Sequence, residues 1–124
     1  MNLARIYAIV FGVVYTLVGV VGFLVAPGLA TGNLVVFPVN GPHNVVHLLV
    51  GVIGIAAFVT NRSVEYARGM AVLFAVLAVA GFLPQPLLGL VPLGGTDILL
   101  HAATALLGAA AGWLYSAPRT VRTV

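Results

Sequence analysis

The chain has 124 residues, of which 62% are hydrophobic and only 6% charged, with a mean hydropathy of +1.21. A soluble domain carries about 25% charged residues, so this composition fits lipid as solvent, in a single membrane domain over residues 1–124. Five arginines stand against Glu65 and Asp97, with no lysine and no cysteine. Scattered arginines exclude a nucleic-acid-binding patch, and the lack of cysteine excludes disulfides, thiolate metal sites and thiol catalysis.

A helix needs about 20 apolar residues to cross roughly 30 Å of hydrocarbon. Four stretches approach that length, over residues 5–26, 43–60, 66–83 and 97–115. The apolar run of the first exceeds the roughly 7–15 residues of a signal-peptide core, so it is expected to be a retained helix. Pro27-Gly28 ends it. Asn40-Gly41-Pro42 opens the second, with Pro42 near the first helical position, where its missing N–H costs nothing. Asn61-Arg62-Ser63 turns the chain into the third helix, and Pro84 and Pro86 end that one. Gly94-Gly95-Thr96-Asp97 opens the fourth, with Thr96 or Asp97 expected as N-cap. The expected fold is all-α, an integral membrane four-helix bundle.

Charge placement predicts the topology. Arg5 precedes the first helix, Arg62 and Arg68 flank the turn between the second and third, and Arg119 and Arg122 follow the fourth. Loops 27–42 and 84–96 contain no Lys or Arg. With four spans all five arginines share one side, which the positive-inside rule makes the cytoplasm. The expectation is a multi-pass protein of the inner (plasma) membrane with cytoplasmic N- and C-termini. Tyr7, Tyr66, Trp113 and Tyr115 are expected as an aromatic belt at the same boundary. The first helix ends GFLVAP (22–27) and the third GFLPQP (81–86), so two repeated helical hairpins of parallel topology are one reading of the bundle.

The second helix begins HNVVH, with His43, Asn44 and His47, and the fourth begins DILLH, with Asp97 and His101. Each i, i+4 pair shares a helix face. His43 and Asp97 are expected at the outer boundary, with His47 and His101 about one turn, or roughly 6 Å, deeper. Ionisable groups inside a span are functional-site hypotheses by default. His43, His47, Asp97 and His101 offer three nitrogens and one oxygen, a set suited to zinc, copper or iron. A haem held between His47 and His101 is a variant, although the outer loops offer no basic residue to its propionates. The plainer reading has His47 and His101 hydrogen-bonded to each other or to Asn44, joining the second helix to the fourth, with Asp97 as a cap. Proton handling is a third.

Tyr15 and Thr16, at the middle of the first helix, are expected as polar packing contacts. Glu65 is expected in a solvated ion pair with its neighbouring arginines. Gly12, Thr16 and Gly19, then Ala67, Ala71 and Ala75, then Gly108 and Gly112 form small-residue faces for close helix approach.

The segments HNVVHLLVG and DILLH, with an Arg-led, glycine-rich first helix ending in GFL, resemble a bacterial family of small four-helix membrane proteins. That family is frequent in actinobacteria and is catalogued as a domain of unknown function. The resemblance spans nearly the whole chain. It implies the four-helix fold, singles out His43, Asn44, His47, Asp97 and His101, and implies no activity. The chain is similar, more weakly, to DoxX-like membrane proteins, which implies a redox association. No nucleophile elbow, P-loop, dinucleotide fingerprint or carboxylate pair is present, so a hydrolase or kinase is not expected. The expected role is a non-catalytic accessory subunit that packs in the lipid bilayer against other membrane subunits or itself. The alternatives are a metal- or haem-binding redox protein using the His/Asp cluster, and an oligomeric transporter or proton-handling protein.

Overall fold

Helix starts and stops follow local capping chemistry. Helix α1 (Leu3–Val25) begins where the Asn2 side chain accepts the Arg5 N–H at 2.9 Å. Helix α2 (Gly41–Val59) begins where Asn40 does the same for His43 at 3.1 Å, with Pro42 in the first turn. It ends in a Schellman motif: Asn61 takes the left-handed conformation (φ 59°) and the Arg62 N–H returns to the Ala57 carbonyl at 2.8 Å. Helix α3 covers Ser63–Ala80, and α4 (Thr96–Ala109) runs into a π-helical turn, Ala110–Leu114. The structure, a computed structural model, describes residues 1–114; Tyr115, Arg119 and Arg122 lie outside the described residues.

Neither Thr96 nor Asp97 caps α4. Gly95 does, because the chain turns there at φ 63°, a conformation glycine adopts freely. Thr96 instead donates its hydroxyl to the Val36 carbonyl at 2.5 Å, and Asp97 is wholly buried.

The four helices span 23, 19, 18 and, with the π turn, 19 residues, or about 27–35 Å at 1.5 Å per residue. Their surface is inverted relative to a soluble bundle. Leu17, Leu24, Val76, Leu99 and Leu106 stand exposed, whereas Asn44, His47, Asp97, His101 and Thr104 are buried. Polar inside and hydrocarbon outside is the arrangement that lipid requires. The chain is a multi-pass membrane protein.

Helix α1 packs chiefly on α2, and α3 on α4. The small-residue faces make these approaches within one chain. Gly12 lies on Gly54 and Ile55, Gly19 on Leu48, and Gly108 on the backbone of Ala67 and Ala71. Ala75, expected on the same face, is exposed. Gly22 and Gly81, which open the two GFL segments, both abut the start of the following helix, at Asn44 and Ile98 respectively.

At one end of the bundle Arg5 donates to Asn61 Oδ1 at 2.5 Å and stacks over Phe58. Arg68 donates to the Gly112 carbonyl at 2.8 Å, beside the π turn, and lies over Trp113. Glu65 pairs with Arg62 at 3.5 Å, both well exposed. Tyr7 and Tyr66 are not part of an interfacial belt. Both are buried, because their hydroxyls find helix carbonyls inside the bundle: Tyr7 donates to Thr104 and Tyr66 to Val50, each at 2.9 Å. Trp113 remains about half exposed.

The opposite end carries the two uncharged loops. Loop 27–42 contains an unexpected β-hairpin, with β1 (Gly32–Leu34) antiparallel to β2 (Phe37–Val39). Val35 turns it at φ 59°, and no Asn-Gly or Asp-Gly announces it. Gln85 organises the other loop, donating to the Leu83 carbonyl at 3.0 Å and accepting the Leu93 N–H at 2.7 Å. Asn40 ties the loops together by donating to the carbonyls of Leu29 (3.1 Å) and Leu90 (2.6 Å).

The α1–α2 seam is testable by adding one methyl group. A Cβ on Gly51 would collide with the backbone of Thr16, whereas nothing lies within 4 Å of one on Gly69. Gly51→Ala is expected to destabilise the protein by about 1–3 kcal/mol, and Gly69→Ala to be neutral or to stabilise by up to about 1 kcal/mol. Denaturant unfolding in detergent micelles measures both; equal effects would contradict the seam.

Candidate metal centre

The first two turns of α2 and of α4 lie at the arginine-free end, where their side chains reach each other. The i, i+4 spacing turns His43 and His47 to the same side of α2, and Asp97 and His101 to the same side of α4. The four side chains meet there. The His43 and His47 rings are 4.3 Å apart between centroids, and those of His43 and His101 5.9 Å. Each histidine offers a ring nitrogen within 4.8 Å of those of the other two. Asp97 Oδ2 lies 3.5 Å from His43 Nε2 and 3.3 Å from His101 Nε2.

None of the four residues is more than 2% exposed. His43 and Asp97 are therefore not boundary residues, as their positions in sequence suggest. The two uncharged loops fold over them: the backbones of Pro38 and Pro92, one from each loop, approach His43, and the Asn40 hydrogen bonds hold those loops in place.

The two contacts to Asp97 are longer than the 2.7–3.2 Å of ordinary N–H···O bonds. They resemble the separation of about 3.3 Å between two ligands of a tetrahedral ion with bonds of about 2.0–2.1 Å. No ring nitrogen of the three histidines and neither Asp97 oxygen has a hydrogen-bond partner of normal geometry. Elsewhere among the described residues, only Asn44 Oδ1 and Ser63 Oγ are buried in that condition. Native proteins leave only a few such groups per 100 residues, so their concentration here is a property of the site.

The remaining polar residues brace the site. Asn44 does not touch the histidines by a hydrogen bond; it donates to the Ala26 carbonyl at 2.9 Å, fixing the end of α1 to the start of α2. Tyr15 shares a 2.7 Å hydrogen bond with Thr104 Oγ1, joining α1 to α4, and its ring lies 5.2 Å from that of His47. Thr16 makes no interhelical bond. Its hydroxyl donates to Gly12 of its own helix at 2.7 Å, the usual outlet for a threonine within a helix.

Sequence reasoning missed Thr104 and Phe74, whose ring meets His101 edge-on at 5.1 Å. Thr104 was recoverable: Asp97, His101, Thr104 and Gly108 follow one helical face at i, i+4, i+7 and i+11. Phe74, in the stretch of α3 (69–80) that has no polar side chain, carries no such signal.

No curated protein and no solved structure matches this chain. A family model does match, over residues 5–114, and its description carries no activity. By that match the chain belongs to the family described as Domain of unknown function (DUF4383).

Proposed function

We propose that this protein binds a divalent transition-metal ion through His43, His47 and His101, with Asp97 supplying the compensating negative charge. The observation that carries the reading is the convergence of three buried imidazoles on one buried carboxylate, with none of their polar atoms in a hydrogen bond of normal geometry. Burying such groups is costly in a low-dielectric interior unless their charge and lone pairs are fully compensated. A cation turns those lone pairs into ligands, and it also accounts for the rings pointing at a common place. Helices that merely pack against a partner need no such cluster.

A nitrogen-rich set with one oxygen and no sulfur suits zinc, copper or iron. A haem is disfavoured by space. The cavity against the rings measures about 110 Å³, well under the roughly 300–1,000 Å³ of pockets that hold a small organic ligand. The site lies at the end opposite Arg5, Arg62 and Arg68. The positive-inside rule then places it on the outer side of the inner membrane, with cytoplasmic termini.

Elemental analysis of protein purified without chelator is expected to show about one metal ion per chain, as the single ligand cluster among the described residues requires. His47→Ala and His101→Ala are expected to abolish it. Asp97→Asn, which keeps the shape and removes the charge, is expected to weaken affinity about 10–100-fold. Protein that stays folded yet takes up neither zinc, copper nor iron on incubation would refute the proposal.

Orientation has its own test. A reporter fused after Val124 is expected to be active only in cytoplasmic form; activity of a periplasm-dependent reporter at that position would invert the topology.

A further inference from the structure

The cavity beside the three imidazoles is otherwise lined by hydrocarbon: Val46, Phe74, Leu77, Leu87, Val91 and Leu93. Polar atoms meet it on the histidine side alone. Of these residues Phe74 and Leu93 are fully buried, whereas Val46, Leu77, Leu87 and Val91 are partly exposed. A residue that both lines a cavity and reaches the outside is a wall one side chain thick. Here that wall consists of apolar groups on α2, α3 and the loop after α3. Toward the aqueous end the loops are instead tied shut by Asn40.

We propose that this cavity is a binding pocket for a small, uncharged, apolar molecule, of the class of the diatomic gases, that enters from the bilayer and lodges against His43, His47 and His101. Size and lining both support the class. An apolar cavity of about 150 Å³ stays dry and accepts xenon or benzene, whereas a buried water needs two to four polar partners. At about 110 Å³ the pocket holds a diatomic molecule with room to spare, and only its histidine side offers a water anything to bond. An ionic ligand would leave its hydration shell for hydrocarbon walls, at large cost. The inference rests on the metal reading only for what the guest meets at the imidazole side; the pocket's existence does not depend on it.

The test uses two probes on the full-length protein. Crystals pressurised with xenon are expected to show an anomalous peak between Leu77 and the histidines, with metal present or absent. Protein loaded with Cu(I) and exposed to carbon monoxide is expected to show a bound C–O stretching band. Leu77→Trp, which fills the pocket, is expected to lose both signals while keeping its copper. Leu77→Ala, which enlarges the pocket, is expected to gain xenon occupancy, and it serves as the test should the tryptophan variant misfold. Copper without xenon or a C–O band overturns the pocket and leaves the metal site standing. A C–O band undiminished in folded Leu77→Trp also overturns it, since the gas would then reach the metal another way. A xenon peak in protein that binds no metal supports the pocket and removes the metal.

Discussion

Hydrogen bonds between the two helical hairpins set the register of the whole bundle. Lipid offers no hydrophobic drive for one apolar helix to leave it for another, so packing and polar contacts decide how spans associate. Within each helical hairpin, glycines let the backbones touch. Between them the ties are polar. Tyr7 and Tyr15 of α1 reach Thr104 on α4, Tyr66 of α3 reaches Val50 on α2, and His43 of α2 faces Asp97 of α4. Interhelical polar contacts in membranes average about 0.6 kcal/mol and reach about 2, so several together have the strength to choose one docking over its neighbours. The site is thus continuous with the contacts that hold the bundle.

This continuity explains the depth at which the histidines sit. In a soluble protein, polar groups this close to a helix N-terminus would turn outward to water. Here the two uncharged loops cover them, and Thr104, one turn below His101, already belongs to the core. Asp97 lies in the first turn of α4, where the helix dipole favours a negative charge. Its carboxylate nevertheless stays buried with His43 and His101 rather than capping the helix, a task left to the glycine before it.

Much of this was legible in the chain because lipid restricts the possibilities. The spans, their proline and glycine limits, and the side on which Arg5, Arg62 and Arg68 gather all follow from that solvent. The matched spacings of His43 with His47 and Asp97 with His101 singled out four residues that the fold brings together. Other features depend on contacts that no local pattern announces. The β-hairpin turns on Val35, a residue with poor preference for that conformation. Burial of His43 depends on Asn40 bonding two loops separated by fifty positions. Tyr7 and Tyr66 carry both an apolar ring and a hydroxyl, so they suit a membrane boundary or a core equally. Which one they occupy is decided by whether a carbonyl inside is free to accept.

His43 and His47 belong to the first helical hairpin, and Asp97 and His101 to the second. During synthesis the first pair enters the membrane with no counterpart. The cluster comes into being only when the last span has been inserted and docked. It therefore marks completion of assembly: a chain halted after α3 would carry two histidines in its membrane and no carboxylate beside them. For a protein whose loops between spans are so small, that dependence makes completion of the bundle and formation of the cluster a single event.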